Sequence, residues 1–281
     1  MDFIAPWASQ IVFVDAMRAA LPWVAVDVEN DYAWRDDIDI PQDENGYPLQ
    51  IPYIRNGREI LASAFVLTNL DGHYPSGLYT LVIEGNGTII VSGDTPERAY
   101  EGPGTYTFDV RPSDEGLFIE MVSSEIGSHI SNLEILFPGY GNSIVTNQYH
   151  PFYPPFIEDL QGFDTIRQMG MLMTVDHACH NAVGNPEQSR DVNCQHTWKG
   201  RTGPNERSQS ADRKGIAWEH AIDLVSHVRG ANMWVNLPHA ATDDYVRRLA
   251  LLVRDRLPDD RSVYLELSNE VWNGSPEFIE A

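Results

Sequence analysis

Lysine is nearly missing from this chain. Lys199 and Lys214 are its two lysines, and with arginine they make 19 basic residues against 41 acidic ones in 281, a formal charge of -22 at pH 7. A surface this acidic repels a phosphate backbone, which excludes nucleic acid as a partner class. The same composition fits a salty medium, where net charge keeps a protein soluble and its self-repulsion is screened; high genomic GC content gives the same bias. Long apolar runs are missing too. None approaches the roughly 18 residues that span a bilayer, so no membrane span is expected. The start, Met1-Asp2-Phe3-Ile4, carries neither the basic region nor the apolar stretch of an export signal. Cysteine is scarce: Cys179 and Cys194 fall in one predicted loop, where they either pair in an exported protein or stay as free thiols.

What is present supports sizeable cores, with 42% hydrophobic residues of which the aromatics, 10% of the chain, are a large part. A short apolar start at residues 3–6 precedes Ile11, Val14, Met17, Arg18 and Leu21, a helical spacing ended by Pro22. Aspartate, glycine and proline then take over. Asp43-Glu44-Asn45-Gly46-Tyr47-Pro48 is turn chemistry, and its acids do not fit the EF-hand spacing for calcium. Over residues 58–138, strand-like runs at 60–67, 78–84, 88–92, 105–110, 117–122 and 133–137 alternate with glycine turns, the pattern of an antiparallel β-sandwich or jelly roll.

From residue 149 onward the pattern becomes α/β. A helix is predicted over 157–167, then strand 171–175, a helix closed by Gly230, strand 232–237, a helix capped by Thr242 with Val246, Leu249, Ala250, Val253 and Leu257 as its stripe, and strand 263–267. Each strand empties into polar and aromatic residues, and no glycine-rich phosphate loop follows any of them. The expected fold class is therefore α/β plus all-β, with a (β/α) barrel preferred over a doubly wound sheet.

The last strand exit carries the most chemistry. Glu270 can protonate a glycosidic oxygen, Asn269 can bond a hydroxyl, and the Trp272 indole can stack on a pyranose face. The plainer alternative is a solvated loop acid or a charge at a helix start. Asp176, His177 and His239 at the earlier exits would line the same sugar subsite, with Trp198 and Trp7 as further platforms. His177, Cys179, His180, Cys194 and His196 are zinc-ligand types, but their spacing matches no standard zinc pattern, so neither metal nor cofactor is expected.

The runs Trp234-Val235-Asn236-Leu237-Pro238-His239, Asp243-Asp244-Tyr245-Val246-Arg247-Arg248 and Tyr264-Leu265-Glu266-Leu267-Ser268-Asn269-Glu270-Val271-Trp272-Asn273 resemble clan-A-like glycoside hydrolases. They look closest to bacterial multidomain cellulose-binding or glycosidase-like proteins with a β-sandwich inserted early in a (β/α)8 barrel. Asp43-Glu44-Asn45-Gly46-Tyr47-Pro48, Gly77-Leu78-Tyr79-Thr80-Leu81 and residues 133–139 resemble that inserted module. The resemblance implies a partial barrel of about strands one to four: residues 1–26 as its first strand and helix, 27–148 as the insert, and 149–281 as units two to four. It implies Glu270 as acid/base and Asn269 on the sugar 2-hydroxyl, in a retaining double displacement on β-linked polysaccharide or oligosaccharide, outside the cell or at its surface. The nucleophile and the rest of the barrel would lie downstream, leaving this chain inactive alone. The alternative is a non-catalytic carbohydrate-binding or cell-surface protein with a glycosidase-like barrel.

Overall fold

The computed structural model describes residues 3–141, 150–174, 195–210 and 214–269. It divides into two compact units, one made of Ala5–Tyr153 with Asn205–Ser208, the other of the described parts of Met1–Ile4, Pro154–Pro204 and Gln209–Ala281.

The first unit is an antiparallel sheet of eight strands: β1 (Val24–Asp27), β2 (Ala33–Arg35), β3 (Tyr53–Arg55), β4 (Arg58–Val66), β5 (Gly77–Gly93), β6 (Arg98–Val110), β7 (Leu117–Ser124) and β8 (Asn132–Leu136). Its main path runs β2-β1-β4-β7-β5-β6, with β3 on β4 and β8 on β5. Local chemistry sets the connections. Asn56-Gly57, both at positive φ, closes the two-residue β3–β4 hairpin between paired Arg55 and Arg58. Asp43 Oδ1 accepts the amides of Asn45 and Tyr47, each at 2.9 Å, which folds the expected turn.

Period-two alternation builds the core. Tyr79, Leu81, Ile83, Ile89 and Val91 of β5 point inward, as do Leu117, Ile119 and Met121 of β7. Strand β5 changes partner midway, pairing β8 through Thr80–Glu84 and β7 through Gly87–Gly93. The shift happens at Gly85, whose φ of +92 and approach to the His129 carbonyl leave no room for a side chain: an added Cβ would lie 2.0 Å from that oxygen. Tyr74, Tyr79 and Tyr100 are core residues.

The second unit holds α1 (Pro154–Leu160), β9 (Thr165–Arg167), α2 (Trp218–His227), β10 (Asn232–Leu237), α3 (Asp243–Arg256) and β11 (Val263–Leu267). The three strands form a parallel sheet in the order β11-β10-β9. Helix α2 buries Ala221, Ile222, Leu224 and Val225, while Thr242 Oγ1 accepts the Tyr245 amide at 3.2 Å and starts α3, with Asp243 and Asp244 in its first turn. Only part of the α3 stripe is covered. Val246, Ala250 and Val253 line a cavity of about 360 Å³ with Val235, Val263 and Leu265, and Leu265 is 69% exposed.

This architecture overturns the partial barrel. The chain is mostly antiparallel sheet, with a parallel sheet of only three strands and three short α-helices among the described residues. The expected first strand at 3–6 is coil and turn, and the helix expected at 11–21 is a single 3-10 turn, Ala16–Ala19. Val12, Phe13 and Val14 are buried in succession, which an extended segment between neighbours satisfies and a one-faced helix does not. The helix expected over 157–167 ends at Leu160, because Gly162 at φ +98 breaks it and Thr165–Arg167 pairs with β10. The strand expected at 171–175 is turns as far as it is described: Leu172, Met173 and Thr174 donate to Gln168, Gly170 and Met169, and Met173 sits at φ +51. Nor does the insert split into two sheets; it is one continuous sheet in which β5 belongs to both halves.

Among the described residues no helix is long and apolar enough to cross a membrane.

Candidate functional site

The parallel sheet has one apolar face and one polar face. Met233, Val235 and Leu237 of β10 share a face with Val263, Leu265 and Leu267 of β11, the face toward α3. Register sets Trp234 beside both Arg167 and Tyr264, and Asn236 beside Glu266, so these five side chains share the other face.

There Glu266 is the hub. Its Oε2 accepts from Arg167 Nη2 at 3.0 Å, Trp234 Nε1 at 2.8 Å and Asn236 Nδ2 at 2.7 Å. Partial burial pushes the Glu266 pKa up, but the hydrogen bonds and charge of Arg167, with those from Trp234 and Asn236, outweigh it and hold the carboxyl below its ordinary value. Such a group is an anionic anchor, unsuited to donating a proton near neutral pH. Arg167 also lies over the Trp234 ring, 5.2 Å from its centroid, and its Nη2 donates to Asn269 Oδ1. Asn236 Nδ2 reaches the Ser268 carbonyl at 2.9 Å, while its buried Oδ1 has no donor among the described residues.

Two residues beyond the end of β11, the chain reaches the predicted mouth. Ser268 adopts φ +54, an uncommon conformation for a residue with a side chain, and its amide is tied to the Leu237 carbonyl at 2.6 Å. The bend buries Asn269 against Arg167 and sets Ser268 Oγ 3.3 Å from His239 Nδ1.

Of the residues expected from the sequence, Asn269 and His239 therefore meet here through Ser268. Trp198 is half-buried in a 3-10 turn, edge-on to Tyr245 at 5.5 Å with the Arg201 guanidinium 4.0 Å from its ring centroid, so a cation already lies against it. Its segment is strapped to the loop after β10, because His196 donates its amide to Ala240 and accepts that of Thr242. Trp7 is exposed and belongs to the other unit. Glu270, Trp272, Asp176 and His177 lie outside the described residues, as do Cys179, His180 and Cys194. Among the described residues no three metal-ligand side chains come together.

Sequence reading missed Arg167, Trp234, Asn236 and Glu266. The available signal was a side chain able to hydrogen-bond on every second position of an apolar strand, as in Trp234-Val235-Asn236 and Tyr264-Leu265-Glu266. Compared with known proteins, the chain matches no family model, no curated protein and no solved structure.

Proposed function

We propose that this chain is the acid/base part of a glycoside hydrolase-like protein that acts on β-linked polysaccharide with retention, Glu270 giving the proton and Asn269 bonding the hydroxyl next to the reacting carbon. The observation that carries the reading is the lattice around Glu266, which fixes Asn269 at the residue before Glu270. Arg167 holds the Asn269 oxygen, and that leaves the amide nitrogen as a donor to a sugar oxygen. The buried acceptor of Asn236 and the half-buried ring of His239 add polar groups of the kind that orient hydroxyls.

Glu270 gives its proton to the glycosidic oxygen as the bond to the anomeric carbon breaks, and a second carboxylate about 5–5.5 Å away takes that carbon. Water then releases the sugar, returning the proton to Glu270. Polymeric substrates of this class are met outside the cell or at its surface, where the protein would work.

Glu270→Gln keeps shape and removes the proton. In the full-length protein, on a panel of β-glucan, mannan and xylan, reducing-sugar release should fall by about 10²–10⁴-fold. Undiminished turnover removes Glu270 from the mechanism. A second reading, glycan binding without catalysis, is favoured by Glu266, whose carboxyl is held below its ordinary pKa and whose Oε2 already accepts from Arg167, Trp234 and Asn236. The same panel separates the two, because that reading requires binding with no turnover in the unaltered full-length protein.

A further inference from the structure

The antiparallel sheet carries a feature that the strand-end site does not use. Pairing places Trp34 beside Val26, Phe65 beside Phe118, and Ser63 beside Glu120, all on the face away from the core residues Ala62, Ala64, Ile119 and Met121. Strand β5 adds Ile90 beside Glu120 and Ser92 beside Phe118. A solvent face of an antiparallel sheet is ordinarily polar. Here Trp34 is 61% exposed, Tyr32 56% and Phe118 37%.

The rings form one run. Trp34 and Phe65 lie 4.9 Å apart and Phe65 and Phe118 5.1 Å, across β2, β4 and β7. With Tyr32 they line a groove of about 510 Å³, within the size range of small-molecule clefts, about 300–1,000 Å³. Its polar lining is Ser63, Ser92, Glu97 and Glu120, with no lysine or arginine. Tyr32 is held at the rim by an uncommon turn in which it and Asp31 both have positive φ, 56° and 54°.

We propose that this groove is a glycan-binding site, separate from the strand-end cluster and independent of its chemistry, that takes a neutral β-linked chain with pyranose faces on Trp34 and Phe118 and hydroxyls on Glu97, Glu120, Ser63 and Ser92. A pyranose offers an apolar C–H face edged by hydroxyls, which matches flat rings flanked by acceptors. Two carboxylates in the lining repel uronate or sulfate sugars and nucleic-acid phosphates. They also fit poorly with the centre of a protein interface, where Glu is depleted and an unpaired charge is costly to desolvate. Burial, and then the charge of Glu97, raises the Glu120 pKa, as expected for two acids facing the same space.

Titration calorimetry of the full chain with soluble mixed-linkage β-glucan, glucomannan and xylan, and with polygalacturonate as the anionic control, tests the site. At least one neutral polymer should bind, the control should not, and Trp34→Ala and Phe118→Ala should each weaken binding about tenfold or more. Both side chains are exposed, so an unchanged circular dichroism spectrum confirms folding, and Tyr32→Ala serves as a third variant. No binding of any neutral polymer, equal binding by Trp34→Ala, or tighter binding of polygalacturonate overturns the proposal. So does self-association in sedimentation that Trp34→Ala abolishes, which assigns the face to a second copy. Binding lost in Glu270→Gln but kept in Trp34→Ala overturns it in favour of the strand-end site alone.

Discussion

Asp15 shows how much one side chain can organise. Its Oδ1 accepts the Met17 amide at 3.0 Å and the Ile135 amide at 2.9 Å, joining the 3-10 turn to β8 across 120 residues of sequence. Burial pushes its pKa up to about 7; nearby Arg18 opposes the rise and Glu134 adds to it. Unfolded, the group titrates near 3.8. Between those values the folded chain holds a proton that the unfolded chain has lost, so this contribution to stability falls as pH rises and is gone above about 7. The difference is worth roughly 4 kcal/mol at most. Asp15→Asn keeps the acceptor and removes the titration. Urea midpoints at acidic, near-neutral and alkaline pH should show a flatter decline than in the unaltered protein, and an equal slope would acquit Asp15. At this scale the site was half legible. Asn269 and His239 stand at strand exits where chemistry is looked for, but Arg167 and Glu266 are 99 residues apart and meet only through strand register, which no local pattern encodes.

At the scale of elements, the strands between 58 and 138 were readable because period-two alternation repeats there with one face buried, but Gly85, Gly87, Gly102 and Gly104, expected in turns, lie inside β5 and β6, and the runs expected at 78–84 and 88–92 are one strand. The misread segments have other causes. Residues 12–14 are buried on successive positions, 157–167 are split by Gly162, and 171–174 are an apolar run turned back on itself with the Ile216 amide bonded to Met171. In the first and last, burial comes from the surroundings and periodicity within the segment carries no trace of it; in the second, the glycine that ends the helix stood in the sequence. The glycine at the β5 shift can be tested directly. Gly85→Ala combines a positive φ with an impossible contact at the His129 carbonyl, and should cost about 2–4 kcal/mol in denaturant melts. A cost below about 1 kcal/mol would mean that β5 can re-register without it.

For the whole molecule, charge outweighs every other influence on how stability responds to the medium. With 41 acids against 19 bases, added salt screens more repulsion than attraction, and the ion pairs it weakens most are the exposed ones, worth little, such as Arg247–Asp244 and Arg111–Asp109. Raising sodium chloride from about 0.05 M to about 1 M should lift the melting temperature by a few degrees, since about 1 kcal/mol corresponds to roughly 2–4 °C at this size. A flat or falling melting temperature would show that specific pairs outweigh net repulsion. The acidic excess was plain in the sequence. The overall architecture was not, because the residues between 149 and 281 alternate as a barrel does while only three parallel strands form among those described.

The uncovered hollow beside α3 sets a limit on that benefit. Valine and leucine side chains left open to water attract any greasy surface, and mutual repulsion of like-charged molecules is what keeps two such hollows from meeting. Brine that toughens each molecule against heat also removes that barrier, so concentrated stocks keep best in dilute buffer, where the fold is weaker but the solution stays clear.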